Sequence, residues 1–188
     1  FCKSPEGMIY FFGSRGGVYQ LVPGQKPVNI SEKQIPERLN AYNADTTSVR
    51  MVWSDIERGF YVFLTPLAGG ATTNYFYDVR NQSWWPDKFA TAAHNPVSVH
   101  LFDGDLAADR TVLLGGQDGY IRKFDYTTPG VSDDSVAIDS FVFLGPIQLK
   151  NRPKLMLTDM KAAMATGSSD VDFTVYSAET EELAEGAT

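Results

Sequence analysis

Short apolar segments recur along this chain at a fixed interval, and this recurrence restricts the fold more than any other property of the sequence. The three most similar segments begin at Ile9, Phe60 and Thr111, so that successive copies are 51 residues apart. Each is followed by a glycine-containing turn and a second apolar segment, an order that predicts a β-hairpin. Almost none of these segments has the period of a helix. The sequence therefore predicts an all-β fold built from similar units.

Two of the predicted hairpin turns are closely alike. Gly13 and Gly17 in the first turn have the same spacing as Gly115 and Gly119 in the third, 102 residues further along the chain. The middle hairpin has a longer turn. Another β-type segment precedes the second and third hairpins, and one follows each of the three, so that each unit is predicted to contain four strands. The preceding segments are Val49–Trp53 and Val97–Phe102, and the following ones are Lys26–Ser31, Gln82–Trp85 and Val136–Ser140.

A four-stranded unit repeated about every 40 to 50 residues is typical of a β-propeller blade. One blade cannot bury both faces of its sheet alone, so neighbouring blades stack on each other. About three such units are present, whereas propellers typically use at least about four. We therefore expect a portion of a larger propeller, or a ring completed by other chains or by unrecognised strands. The absence of an initiator Met before Phe1 also suggests a processed or truncated chain.

The predicted blades occupy residues 1–145, divided approximately into 1–47, 48–95 and 96–145. Residues 146–188 depart from the repeat and predict a C-terminal β-sandwich-like segment with an acidic tail. Gly145-Pro146 ends the preceding predicted strand, Phe141–Leu144. Two further apolar runs then flank a turn-rich stretch, and the last residues are acidic and small. The fold prediction is thus propeller-like blades followed by a separate β unit.

Aromatic residues make up 13% of the chain, and many of them lie on the predicted strands. Their simplest interpretation is packing between blades, and we expect Trp53, Trp84 and Trp85, with Tyr77, to hold the blades together. An alternative is that exposed rings such as Trp84-Trp85 stack on sugars, with nearby carboxylates acting as acid and base. The candidates for blade packing or interaction are Trp53, Phe60, Phe63, Tyr77, Trp84, Trp85 and Tyr120.

The charge and the apolar content restrict the partners of the chain. The formal net charge is −7, and the basic residues are dispersed, so specific nucleic-acid binding is not expected. No apolar run approaches the roughly 18 residues of a membrane span. The single cysteine, Cys2, cannot form an internal disulfide bond. The fold must therefore be stabilised by packing and strand pairing.

No catalytic motif is present, and we expect a protein that is not an enzyme and binds no cofactor or metal. Phosphate-binding loops, nucleophile elbows and zinc-protease motifs are all missing from the sequence. His94 and His100 have no cysteine or further histidine at ligand spacing, which favours surface or packing roles. Asp103, Asp105 and Asp109 could offer oxygens to a hard cation, but turn hydrogen bonding is the favoured interpretation.

Several stretches together resemble the β-propeller proteins of tailed-bacteriophage necks and tails. The resemblance covers roughly residues 8–145 and follows the order of the blades rather than any active-site chemistry. The stretches that carry it are Tyr10–Leu21, Pro27–Ser31, Val52-Trp53, Gly59–Phe63, Tyr77-Asp78, Ser83–Trp85, Gly115–Asp125, and Ser132–Asp134 ahead of Ile138. The proteins it resembles are similar to the tail proteins that stabilise packaged DNA in short-tailed phages, in which a propeller is joined to further β structure.

The resemblance implies a structural protein of the virion neck or tail. Such a protein would form homo-oligomers, assemble with other phage neck or tail proteins, and help retain or channel packaged DNA. The alternative is a carbohydrate-binding or glycoside-cleaving propeller, such as a tail-associated receptor-binding protein. A weaker alternative is a kelch-like adaptor, which would form a closed monomeric ring.

Overall fold

The structure is a computed structural model of the chain, which divides into two compact units, Phe1–Asp139 and Ser140–Thr188. It describes residues 1–32, 35, 39, 42–43, 45–70, 72–106, 109–124, 132–133 and 135–137. The predicted strand Phe141–Leu144 and the predicted C-terminal segment, residues 146–188, lie outside the described residues. All of the described residues belong to the first unit.

Antiparallel β-strands form almost all of the regular structure. The prediction of an all-β fold with blade-like sheets is confirmed, and a short 3-10 turn at Ala92–His94 lies between β8 and β9. None of the described helical structure is long and apolar enough to span a membrane. The strands are β1 (Cys2–Lys3), β2 (Ile9–Phe12), β3 (Val18–Leu21), β4 (Val28–Asn29), β5 (Thr47–Ser54), β6 (Gly59–Pro66), β7 (Asn74–Asp78), β8 (Ser83–Asp87), β9 (Pro96–Phe102), β10 (Thr111–Gly116), β11 (Ile121–Phe124), β12 (Ser132–Asp133) and β13 (Val136–Ala137).

The strands form three consecutive meander sheets and one small hairpin. Sheet 1 contains β1 to β4, sheet 2 contains β5 to β8, and sheet 3 contains β9 to β11, each in sequence order. This order follows because each tight turn joins a strand to its antiparallel neighbour.

The fourth strand predicted for the third unit is the main correction to the strand assignment. Val136–Ser140 was expected beside β11, but Val136-Ala137 pairs instead with Ser132-Asp133 in the separate β12–β13 hairpin. Ser135 takes a left-handed conformation with φ of 71°, which turns the chain back between these strands. Sheet 3 therefore has three strands among the described residues.

Sheet 2 is buried on both faces, which explains its apolar sequence. Every residue of β6 except Pro66 is buried. Side chains alternate across a strand, so Phe60 and Val62 face one way while Tyr61 and Phe63 face the other. The first pair belongs to a cluster with sheet 1, and the second pair belongs to a cluster with sheet 3. Sheet 2 thus lies between the other two.

The same five-residue turn joins several strands. In each case the first amide donates to the carbonyl of the fifth residue, and the fourth residue is a glycine with positive φ, a three-residue hairpin loop with a bulge. The turns are Ser4–Met8, Gly13–Gly17 and Gly116–Tyr120, with Gly7, Gly16 and Gly119 at φ of 88°, 86° and 83°. Gly13 is therefore equivalent to Gly116, whereas the spacing of glycines in the sequence predicts that it is equivalent to Gly115.

Candidate functional site

The interface between sheets 1 and 2 is built from aromatic rings. Tyr10 of sheet 1 is fully buried, and its ring centroid lies 4.6 Å from that of Phe60 and 6.0 Å from that of Trp53. Phe60 contacts Trp84 edge-on at 5.9 Å, and Tyr77 lies 4.7 Å from Trp84. Offset and edge-to-face pairs of this kind add to the stabilisation from burial of apolar area.

One hydrogen bond ties the outer strand of sheet 2 to the segment after sheet 1. The indole Nε1 of Trp84 donates to the carbonyl oxygen of Ile30 at 3.2 Å. The ring therefore combines an apolar contact with a polar anchor 54 residues away in sequence. This arrangement fits the general tendency of buried indole groups to find an acceptor.

A second aromatic cluster forms between sheets 2 and 3. Phe63 is fully buried, and Tyr61 lies beside it with nearly parallel rings at 5.8 Å. Phe124 of sheet 3 meets both rings edge-on, at 4.9 Å from Tyr61 and 6.4 Å from Phe63. Val52 of β5 and Val112 and Leu114 of β10 complete the buried part of this cluster. Sheet 3 is thus packed by the same kind of contact as sheet 1.

Polar contacts fix the register between sheets 2 and 3. Arg50 Nε donates to the carbonyl of Val97 at 2.8 Å, and Thr65 Oγ1 donates to the carbonyl of Pro96 at 2.7 Å. The Gln117 side-chain amide, on the hairpin turn of sheet 3, donates to the carbonyl of Pro66, the last residue of β6, at 2.5 Å. These directional bonds lie where β6 ends and β9 begins, and they hold one relative position of the sheets, which apolar packing alone would specify less sharply.

Asp55, in the β5–β6 turn, contacts one aromatic side chain and one basic side chain. Its Oδ1 accepts a hydrogen bond from Trp53 Nε1 at 2.7 Å, and its Oδ2 lies 2.8 Å from Arg110 Nη2. The same guanidinium lies 3.9 Å from Asp103. Because the Arg110 side chain is 42% exposed, this ion pair contributes little to stability by itself. The Asp55–Arg110 ion pair links the β5–β6 turn of sheet 2 to the connection between β9 and β10 in sheet 3.

Titration behaviour at the interfaces follows from burial and from local hydrogen bonds. Burial raises the pKa of Tyr10 to about 12, and the nearby Tyr77 and Cys2 act in the same direction. Burial likewise raises the pKa of the Cys2 thiol to about 12. Hydrogen bonds from Arg122 lower the pKa of Asp118 to about 2 in the hairpin turn of sheet 3. The Cys2 thiol is therefore almost entirely protonated at neutral pH and is a poor nucleophile.

The structure brings four of the seven candidate residues together and separates the other three. Trp53, Phe60, Tyr77 and Trp84 all lie in the cluster between sheets 1 and 2. Phe63 lies in the other cluster, on the opposite face of sheet 2.

Trp85 and Tyr120 lie on the surface instead of between sheets. Trp85 is 58% exposed and Tyr120 is 68% exposed. Trp84 and Trp85 are consecutive in β8, so their side chains project to opposite sides of sheet 2. The adjacent tryptophans therefore do not form the joint sugar-stacking platform expected of the carbohydrate-binding alternative.

The face of sheet 1 turned away from sheet 2 carries an apolar patch that the sequence argument did not single out. It consists of Ile9, Phe11, Tyr19 and Leu21, which belong to neither buried cluster. The rings of Phe11 and Tyr19 stack at 5.5 Å, and the Tyr19 ring lies so close to Gly13 that a Cβ there would be 2.6 Å from Cε2. Alternation along β2 and β3 was the signal that could have identified this face.

A shallow pocket of about 290 Å³ adjoins the same patch. It is lined by Phe11, Gly13, Ser14, Arg15, Tyr19 and Pro27. Among the residues that the structure describes, no three or more histidine, cysteine, aspartate or glutamate side chains form a group that could hold a metal ion.

Comparison with known protein families, with characterised proteins and with solved structures gave no match to this chain.

Proposed function

We propose that this chain is a structural, non-enzymatic component of a bacteriophage virion neck or tail. It assembles with further copies of itself and with other neck or tail proteins, and the assembly helps to retain or channel packaged DNA. The proposal rests on the resemblance of the blade segments to phage neck and tail propellers and on the organisation of the sheets.

The observation that carries the proposal is the continuous aromatic packing through sheet 2. Its two faces contact sheets 1 and 3, and the aromatic residues of β6 divide between the two interfaces. Side chains such as Phe60, Phe63 and Trp84 are thereby engaged in holding sheets together. A stack of this kind is a rigid module suited to an assembled particle, and its polar turns are free to meet neighbouring subunits.

The formal charge of −7 supports a protein that lies beside the DNA path without binding the DNA tightly. Protein groups that bind the phosphate backbone tightly are basic, and their affinity comes from displaced counterions. A surface with excess carboxylates repels the passing strand and leaves it mobile. We therefore include the absence of sequence-specific DNA binding in the proposal.

The test uses phage particles produced from the genome that encodes the chain. An amber codon replaces that for Gln25, an exposed residue, and particles are grown in a host whose suppressor inserts glutamine and in a non-suppressing host. We expect mass spectrometry to detect the chain in purified, salt-washed particles from the suppressing host. In the non-suppressing host we expect electron microscopy to show heads that lack a complete neck or tail or have lost their DNA.

Two outcomes would contradict the proposal. Absence of the chain from purified particles would remove the virion assignment. Complete, DNA-filled particles that fail only to adsorb to cells would instead favour the receptor-binding alternative, with carbohydrate recognition as its mechanism. Expression of the unchanged chain from a plasmid in the non-suppressing host is the control for polar effects on neighbouring genes, and it should restore complete particles.

A further inference from the structure

Two strongly exposed aliphatic side chains lie on turns that an ion pair joins. Ile56, between β5 and β6, is 62% exposed, and Leu106, between β9 and β10, is 66% exposed. Asp55 directly precedes Ile56, and its Oδ2 lies 2.8 Å from Nη2 of Arg110, the last residue before β10. Single exposed apolar residues are common on protein surfaces, whereas exposed apolar residues on adjoining turns indicate a surface that a partner covers.

The β9–β10 turn folds back on itself around Leu106. The amide of Asp109 donates to the carbonyl oxygen of Leu106 at 2.9 Å. A Cβ at Gly104 would lie 2.7 Å from Cβ of Asp109, so these two residues are in close contact across the turn. Nε of Arg110 lies 3.9 Å from Oδ1 of Asp103. These contacts restrict the main chain on both sides of Leu106, which reduces the entropy lost when a partner binds there.

The two turns together are negatively charged. They contain five carboxylates and two basic residues, which gives a net charge of −3. Both basic residues already have acidic neighbours, because Arg110 pairs with Asp55 and Arg58 acts electrostatically on Glu6 of the β1–β2 turn. The remaining carboxylates are therefore not neutralised by these two basic residues.

These carboxylates border the aliphatic side chains and are accessible to a partner. The Asp103 side chain is 69% exposed, and Asp105 and Asp109 are also exposed. Glu57 is partly buried, and the hydroxyl of Tyr61 donates to its Oε2 at 2.5 Å. An apolar pair is therefore surrounded by negative charge. We call this surface the rim patch, which consists of Ile56, Glu57, Asp103, Asp105, Leu106 and Asp109.

The rim patch lies at the ends of strands and not on a sheet face. Stacking of sheets buries their faces, as it does between sheets 1, 2 and 3, whereas the turns that connect strands remain at the surface. A further sheet packed against sheet 1 or sheet 3 would therefore leave the rim patch accessible.

We propose that the rim patch binds a basic segment of another neck or tail protein, in which lysine or arginine side chains flank an aliphatic or aromatic side chain. The apolar side chain of the partner covers Ile56 and Leu106, and its cations meet the surrounding carboxylates. An apolar centre with a polar rim is the usual organisation of a protein interface, and opposite charges select the partner and speed association. The inference rests on the assembly role proposed above and specifies the chemistry of the partner.

The negative charge favours this occupant over two others. A second copy of the chain carries the same net charge of −7, with its basic residues dispersed. DNA presents phosphates, which the carboxylates repel. A basic protein segment satisfies both the carboxylates and the aliphatic side chains.

The test places a photoreactive residue in the rim patch and identifies what it touches in assembled particles. Amber codons at Ile56 and at Leu106, in separate phages, direct the insertion of benzoylphenylalanine in a host with the matching suppressor. Purified particles are irradiated, and cross-linked peptides are identified by mass spectrometry. We expect both positions to link to one protein other than this chain, through a peptide with more lysine and arginine than aspartate and glutamate.

Leu67 is the matched control for position. It is 58% exposed and follows the last residue of β6, whereas Ile56 lies before the first residue of that strand. Benzoylphenylalanine at Leu67 should therefore not link to the same peptide.

Charge reversal tests the contribution of the carboxylates. Asp105→Lys, combined with benzoylphenylalanine at Ile56, should lower the yield of the linked peptide several-fold. Asp45→Lys should leave the yield unchanged, because this exposed residue precedes Thr46, whose carbonyl accepts from the amide of Leu67 at the other end of β6. Asp103→Lys replaces Asp105→Lys if circular dichroism of the isolated chain shows that the latter does not fold.

Links to another copy of this chain, to an acidic peptide, or to different proteins from Ile56 and Leu106 would overturn the inference. An unchanged yield with Asp105→Lys would also overturn it, since the contact would then not depend on charge. Particles that contain the chain but give no link from either position would overturn this inference and leave the virion role standing. Particles that lack the chain would instead remove the proposed function, and this inference with it.

Discussion

Tyr10 shows how one buried side chain makes the interface sensitive to pH. Its ring is fully buried between sheets 1 and 2, and its hydroxyl donates to the sulfur of Met8 at 3.8 Å. A thioether accepts a hydrogen bond but has no proton to donate, so Met8 cannot stabilise an ionised phenolate in place of water. The neutral phenol is therefore the form that the fold accommodates.

We expect the free energy of unfolding to fall as the pH rises from about 10 to about 12. Burial raises the pKa of Tyr10 to about 12 in the folded protein, whereas an unperturbed tyrosine titrates near 10. In this window the unfolded chain has lost the phenolic proton and the folded chain retains it, so stability decreases with pH. Urea denaturation at several pH values measures this slope.

Tyr10→Phe is the control for that prediction. The variant keeps the ring packing and removes the titrating hydroxyl, so its stability should decline less steeply above pH 10. Some slope remains, because burial also raises the pKa of Cys2 and of Tyr77. Equal slopes for the variant and the unchanged protein would show that Tyr10 does not carry the effect.

At the scale of the strand, β8 provides a matched pair of tryptophans. Trp84 packs against Phe60 and donates to the carbonyl of Ile30, whereas Trp85 is 58% exposed and donates to Ser83. We expect Trp84→Ala to lower the free energy of unfolding by about 3 kcal/mol, through lost packing and an orphaned carbonyl. Trp85→Ala should change it by less than about 0.5 kcal/mol. Chemical denaturation of both variants measures the difference.

Similar losses for the two variants would contradict this assignment of faces. The comparison is well controlled because both residues have the same side chain, are consecutive and occupy the same strand. A loss confined to Trp84→Ala would also show that the outer strand of sheet 2 contributes to the contact with sheet 1. Trp84→Phe tests the hydrogen bond separately, since it retains most of the ring contact.

Much of the strand pattern is predictable from the sequence because each strand is apolar and ends at a turn. Strands β2, β3 and β4 of sheet 1, all four strands of sheet 2 and the three of sheet 3 fall on predicted segments, with changes of a few residues at their ends. The two-residue strand β1 was missed because Cys2-Lys3 has no alternation to recognise. Its turn, with Gly7 in the left-handed conformation, was the available signal.

The remaining differences have a common physical origin in turn geometry. Spacing aligned Gly13 with Gly115, but the residue that repeats is the glycine with positive φ, Gly16 in one turn and Gly119 in the other. Val136 similarly follows a turn at Ser135 that directs it to β12 and not to β11. Local patterns identify strands, whereas the backbone conformation of one or two turn residues decides their partners.

At the scale of the three-sheet stack, sheet 2 contributes one face to each of two separate interfaces. In a repeat architecture the stability of each unit depends mainly on its contacts with its immediate neighbours. Weakening one interface should therefore release the sheet beyond it more than the sheet on the other side. Phe60 and Phe63 allow a direct test, because both lie in β6, both are fully buried and they face opposite sheets.

We expect Phe60→Ala to increase backbone hydrogen exchange in β2 and β3 of sheet 1 more than in β10 and β11 of sheet 3. Phe63→Ala should reverse this order, because it removes the ring that contacts Phe124 and leaves the Tyr10 contact in place. Each substitution creates a cavity that costs about 3 to 5 kcal/mol, enough to populate local opening. Hydrogen exchange measured by mass spectrometry resolves the two sheets as separate peptides. A uniform increase in both sheets from either variant would mean that the stack opens only as a whole, and the interfaces would then act as one cooperative core instead of two neighbouring contacts.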